Sequence, residues 1–221
     1  MRVPGEPALR ALIAALHDDL AAREITDADL AAERAAILAS WNAPLRTAAS
    51  CSPHLLPACR HLDAAMAAGR NHPIVSAIAP FLPTLSWRYG YPEHPEWPGL
   101  AERLAFAPLI GARAIFTDVA AHLGLTLVAP ETHYPLHAHP AIELYLVLSG
   151  TAEWRVSGAP FTLQPPGALI LHAGGIGHAM RTGAEPLLAL YVWRGDLATA
   201  PVYVAEDAGP GGAGRASAAS N

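Results

Sequence analysis

The sequence predicts a mainly β protein with helices: a helical N-terminal region followed by a small antiparallel β-barrel. Two changes of pattern carry this. From Glu6 to about Ala68 the chain is alanine-rich, with leucines at spacings of three and four, the period of amphipathic helices. After Gly99 it turns to short runs rich in Val, Leu, Ile, Thr, Tyr and Trp, separated by Gly and Pro, the punctuation of an antiparallel sandwich or barrel. At 221 residues, 52% hydrophobic and 15% charged, the chain is long and apolar enough to bury a core in one or two domains.

The elements follow in order. "LRALIAALHDDLAARE" and "DADLAAERAAILASWNAPLR" read as two helices, the second capped by Thr26 or Asp27 and stopped near Asn42 and Pro44. A third helix is expected over Pro57 to Ala68, so that Met1 to about Ala68 is helical. The stretch from Asn71 to Pro98 mixes prolines with aromatics, which blocks long regular elements and marks an ordered connection. Residues 1–98 thus form a helical region with its aromatic connection. A further short helix fits "LAERLAF". Then "LGLTLVAP", "IELYLVLSG", "TAEWRVSG", "APFTLQPPG", "ALILHAGG" and "LLALYVWRG" supply the strands of a domain spanning 99–205, with the barrel itself running from about Val119 to Ala205. The small-residue end, 206–221, reads as a disordered tail.

Charge limits the partners. A net charge of −5 and a pI near 6.1 lack the basic footprint of a nucleic-acid or anionic-membrane binder, which leaves a small molecule. The apolar start is broken by Asp18 and Asp19 and is too short to span a bilayer, so no membrane segment or signal peptide is read and a cytoplasmic location is expected. Cys51 and Cys59 then read as free thiols. The Ala/Leu-rich helices could cover the barrel or pair as a homodimer.

Chemistry concentrates in "THYPLHAHPAIELYLVLSG", residues 132–150. Side chains two apart in a strand share a face, so His137, His139, Glu143 and Tyr145 point one way, while Leu144, Leu146 and Leu148 form the packed side. Two imidazoles and a carboxylate on one wall are a partial ligand set for a divalent transition metal, zinc or iron first, with manganese, nickel or cobalt accepted by the same donors. His178, after the glycine-rich turn "HAGGIGH", is the candidate fourth ligand. His172 has no assignable place, and the histidines outside this region show no ligand spacing.

The pattern His137-x-His139-x3-Glu143-x6-Gly150 resembles the first motif of the cupin superfamily, and Gly167-x5-Ala173-x-Gly175-x2-His178 its second. Glu131 and Ala173 depart from it at turn positions, where a glycine and a proline are usual. The resemblance implies a small antiparallel barrel, a double-stranded β-helix, holding one divalent ion on three histidines and a glutamate. Over about Phe81 to Leu197 the chain is similar, more narrowly, to the cupin-type dimethylsulfoniopropionate (DMSP) lyases. That likeness implies that Tyr134 and Tyr145 face the substrate and that Trp193 stands beside it. Tyr191 shares the face of Trp193, and His133 is placed at the cavity mouth.

The implied reaction is a metal-dependent carbon–sulfur lyase step on DMSP. Loss of the proton next to the carboxylate expels dimethyl sulfide and leaves acrylate; a metal stabilises the developing enolate charge. Either tyrosine becomes a credible base near a divalent cation, which favours phenolate, and aromatic faces suit a sulfonium. The same metal set also fits a cupin dioxygenase or isomerase acting on another small carboxylate. A non-catalytic small-molecule-binding cupin is the remaining alternative, weakened by the absence of a helix-turn-helix signature.

Overall fold

The computed structural model describes residues 4–42, 45–47, 52–112, 114–117 and 120–205. The expected tail at 206–221, together with Pro44, Cys51 and Val119, lies outside them; Cys59 is a half-buried free thiol.

The N-terminal helices form where the leucine period placed them. α1 (Glu6–Ala21) buries Leu9, Leu12, Ile13, Leu16 and Leu20 along one stripe. α2 (Ala28–Leu38) is capped by Asp27, whose side chain accepts the Leu30 N–H at 2.8 Å, so Asp27 rather than Thr26 holds that position. The third expected helix divides into a 3-10 turn, Pro57–His61, and α3 (Leu62–Ala68). Within the proline-rich connection a short α4 (Pro73–Ile78) begins on a proline, the position where a missing N–H costs nothing.

Two corrections apply to the strand region. "LAERLAF" is a 3-10 turn, Leu100–Glu102, followed by a strand (Leu104–Ile110), because a continuous buried apolar run has no period that separates strand from helix. A short strand at Arg46–Thr47 also lies inside the region expected to be wholly helical. β structure therefore begins well before residue 119: β1 (Arg46–Thr47), β2 (Leu104–Ile110), β3 (Phe116–Thr117), β4 (Ala121–Val128), β5 (His133–Ala138), β6 (Ile142–Ser149), β7 (Ala152–Val156), β8 (Thr162–Gln164), β9 (Leu169–His172), β10 (His178–Thr182), β11 (Leu187–Arg194) and β12 (Val202–Tyr203).

The strands form two sheets, ordered β1-β3-β2-β4-β11-β6-β9 and β12-β5-β10-β7-β8. The eight strands from β4 to β11 are thus shared as β4-β11-β6-β9 against β5-β10-β7-β8, the double Greek key of a jelly roll, which is the cupin arrangement. Among the described residues no continuous ladder closes the sheets into one barrel. The helices cover the outer face of the seven-stranded sheet, where Leu9, Leu12 and Ile37 join Leu123, Leu125, Leu144, Leu146, Leu148, Leu190 and Val192 in one core. Each such leucine contributes roughly 1.5–3 kcal/mol by leaving water. Between the sheets lies a second, aromatic cluster with Tyr134, Tyr145, Trp154 and Met180. Among the described residues, no helix is long and apolar enough to cross a membrane.

Candidate metal and substrate site

Between the two sheets the polar side chains of "HYPLHAHPAIELY" meet those of β10 and β11. Glu143 and Tyr145 lie on β6, and the antiparallel partner β11 sets Trp193 opposite Glu143 and Tyr191 opposite Tyr145. His137 is on β5 and pairs with His178 on β10. His139 follows β5 in the turn at Pro140. That turn is fixed from across the sheets: the Gly175 N–H donates to the His139 carbonyl at 2.7 Å. Gly174 lies so close to the Pro140 carbonyl that an added Cβ would meet its oxygen at 2.3 Å. Only glycine admits this approach, and it is what holds the His139 turn against the loop that delivers His178.

The strand parity of β5 is broken by one residue. His178 pairs with His137, but Met180 pairs with Tyr134, so β5 carries an extra residue there, a β-bulge. Tyr134 and His137 consequently face the cavity together, and their rings stack at 3.9 Å. The same bulge turns His133 outward: it is exposed, with its ring against Phe161, and does not line the cavity mouth as expected.

Each candidate histidine ligand is oriented through its other nitrogen. Nδ1 of His137 donates to the Pro135 carbonyl at 2.8 Å, that of His139 to Ala141 at 3.0 Å, and that of His178 to Ile176 at 3.0 Å. In the neutral ring this leaves Nε2 as a bare lone pair. Nε2 of His139 and of His178 then lie 3.0 and 3.2 Å from the same Glu143 carboxylate oxygen. Two lone pairs cannot face a carboxylate at that distance unless a proton or a cation stands between them. The ligand atoms of His139, Glu143 and His178 all fall within 4.8 Å of one another, and all three residues are buried. The donor set therefore fits a divalent transition ion. His137 stands beside this trio, its ring 4.1 Å from that of His178 and 6.3 Å from that of His139.

Electrostatics follow the same geometry. Burial pushes the Glu143 carboxyl up, but the imidazoles of His139, His172 and His178 more than reverse this and hold it well below the usual carboxylate range. His139 is pulled down by burial and raised on balance by Glu143. Burial, then the neighbouring His178, keeps His137 well below the ordinary imidazole value. Burial is also the main reason that the phenols of Tyr134 and Tyr145 sit well above theirs; Tyr91 adds to it at Tyr134 and Glu143 at Tyr145. Trp193 donates its indole N–H to the second Glu143 oxygen at 2.6 Å and packs its ring 4.2 Å from His139.

Three further residues belong to the site. His172 is buried opposite Glu143 on β9, stacked on His178 at 3.8 Å, with burial lowering its pKa to about 4. Tyr91 reaches in from the aromatic connection and shares a hydrogen bond with the Tyr134 hydroxyl. Arg88 lines the same cavity, which has a volume of about 470 Å³ and is walled further by Tyr134, Tyr145, Tyr191 and Trp193.

A family model described as dimethylsulfoniopropionate lyase matches residues 30–189. The chain is 37% identical over 116 residues to the protein named dimethylsulfoniopropionate lyase DddQ of Ruegeria pomeroyi, a match covering 52% of this chain and 58% of that protein. It thus spans less than two thirds of that relative's length. In three dimensions it is similar to a chain from the crystal structures of the DMSP lyases RdDddP and RnDddQII, with a TM-score of 0.73 and 29% identity over 91% of this chain and 100% of that one. The crystal structure of the DMSP lyase DddQ from Ruegeria pomeroyi gives a TM-score of 0.72 at 28% identity, covering 90% of this chain and 97% of that one.

Proposed function

The chain belongs to the dimethylsulfoniopropionate lyase family, and on that premise we propose that it cleaves DMSP into dimethyl sulfide and acrylate by base-catalysed β-elimination. The observation that carries the reading is the convergence of the His139 and His178 lone pairs on the Glu143 carboxylate, at the wall of an aromatic-lined cavity of about 470 Å³. His139, Glu143 and His178 would hold the ion, with His137 as the fourth ligand. A divalent ion bound there supplies a fixed positive charge that stabilises a carboxylate taking up enolate character.

The chain's own groups do the rest. Tyr145, two residues beyond Glu143 on the same face of β6, takes the proton from the carbon next to the carboxylate onto its phenolic oxygen. The electron pair of that C–H bond forms the new double bond, the C–S bond breaks, and its pair leaves on sulfur. Burial and the Glu143 charge keep Tyr145 protonated in the chain alone, so its base role depends on added positive charge at the cluster. Trp193 and Tyr191 offer faces to the sulfonium, each worth roughly 0.5–2 kcal/mol. A second assignment makes Tyr134 the base, because it lines the same cavity with its ring stacked on that of His137.

The test is an oxygen-free incubation with DMSP, with dimethyl sulfide measured in the headspace and acrylate in solution. Equal amounts of the two are expected, since elimination needs no oxidant. A product that forms only in air would instead assign the site to a dioxygenase.

A further inference from the structure

Alternation along β4 places Leu123, Leu125 and Leu127 in the leucine core and turns His122, Gly124 and Thr126 toward the second sheet. A glycine inside a strand weakens it, and is kept where the backbone must bend or where another group must come close. The backbone makes no such demand at Gly124, which lacks the positive φ found at Gly111, 149°. What comes close is Tyr191, its pairing partner on β11. A Cβ added at Gly124 would collide with the Tyr191 hydroxyl oxygen and meet Cζ at 2.5 Å and Cε1 at 2.7 Å. The outer half of the phenol therefore rests on the bare backbone of β4, while the residue lines the cavity. A second ring of the same wall is seated in the same way: a Cβ at Gly111 would meet Cδ2 of His122 at 2.9 Å, and His122 lines the cavity too.

We propose that Gly124 sets the size of the onium group that the cavity admits, by giving the Tyr191 ring a seat against β4. Side chains on this face of β4 point into the space between the sheets. An alanine there drives the ring off the strand by about 1 Å or more, the distance needed to restore an ordinary carbon contact. The ring moves into the cavity beside Trp193, whose centroid is 6.0 Å from its own. The space lost is that in which the alkyl groups on sulfur would lie. Gly124 is thus a positioning residue that acts through Tyr191. The identity of the onium compound rests on the lyase reading; the seat of the ring does not.

The test compares kcat/KM for DMSP with that for its diethylsulfonio counterpart on the metal-loaded full chain. Both values come from one preparation, so a loss of folded or metal-bearing enzyme cancels in their ratio. Gly124→Ala should raise the preference for DMSP about tenfold or more, since a single methylene in a shaped apolar site is worth roughly 10–200-fold. Tyr191→Ala should lower the preference below that of the natural chain, and in that background Gly124→Ala should change it no further. An unchanged preference in Gly124→Ala overturns the proposal, as does an equal rise with the Tyr191 ring removed, which would place the effect elsewhere. Should Gly124→Ala not fold, Tyr191→Ala alone decides, and a preference equal to that of the natural chain overturns the proposal. A chain that releases no dimethyl sulfide is tested by calorimetric binding of the trimethylammonium analogue of DMSP and its triethyl homologue. A size preference that Gly124→Ala sharpens there keeps the seat and removes the lyase; an unchanged one overturns the seat as well.

Discussion

Strand β6 has two faces that are equally dry and chemically opposite. Leu144, Leu146 and Leu148 are 1–2% exposed against the helices, and Glu143 and Tyr145 are 1–2% exposed against the second sheet. On the leucine face, burial is itself the source of stability. On the other face burial is a cost, because each polar atom taken from water must find a partner. Glu143 finds Trp193 and His139, whereas Nε2 of His178, although 3.2 Å from the Glu143 carboxylate, and both ring nitrogens of His172 have no hydrogen-bond partner among the described residues. A face maintained at such cost is where a bound charge would be repaid, and the leucine face is what supports it.

Substitutions on the two faces should therefore fail in different ways. The largest effect is expected from Glu143→Gln, which keeps the shape and removes the charge. Its metal affinity should fall by more than the roughly 10–100-fold typical of residues that merely support a ligand, and turnover should vanish with it, as metal analysis and dimethyl sulfide release would both register. Tyr145→Phe, which removes only an oxygen, should retain the metal and lose turnover by about 10²–10⁴-fold. Near-normal turnover would pass the base role to Tyr134. On the opposite face Leu146→Ala should cost about 2–5 kcal/mol in denaturant unfolding, with metal bound per folded chain unchanged; a loss of metal there would mean that the faces are not separable.

Trp193→Phe sharpens the comparison at smaller scale. It removes the N–H that holds the second Glu143 oxygen, so metal affinity should drop about 10–100-fold with little change in melting temperature. Smallest is an effect of pH on the metal-stripped chain. Because the Glu143 carboxyl is held below its ordinary value of 4.5, the stability that it contributes is complete above that value and is lost as pH falls beneath it. Thermal unfolding followed from about pH 6 to about pH 3 should decline more steeply for the natural chain than for Glu143→Gln.

The leucine face could be read from the sequence almost without loss, since Leu144, Leu146 and Leu148 alternate and α1 repeats its leucines with the helical period. The polar face was only half legible. Parity puts His137, His139, Glu143 and Tyr145 on one face, and all four line the cavity. His133, expected at the mouth as the neighbour of Tyr134, points outward instead, because nothing in "THYPLH" announces a bulge that arises from how β5 pairs with β10. His172 was missed for a related reason: it joins the site only through the pairing of β9 with β6, Glu143 opposite His172, a contact made past the intervening strands β7 and β8 that local pattern does not encode. Tyr91 and Arg88 come from a connection whose prolines show that it is irregular without showing where it leads. β2 was hidden because "LAFAPLI" is buried along nearly its whole length and so has no alternation to read.

The measurement that bears most directly on the polar face is dimethyl sulfide and acrylate release by the full chain before chelation, after chelation, and after a single divalent ion is restored, with metal content determined at each stage. The account predicts release that disappears with the ion and returns with it, at about one ion per chain. Undiminished release from a chain shown to be free of metal, or no release from a chain that holds its ion, would contradict it.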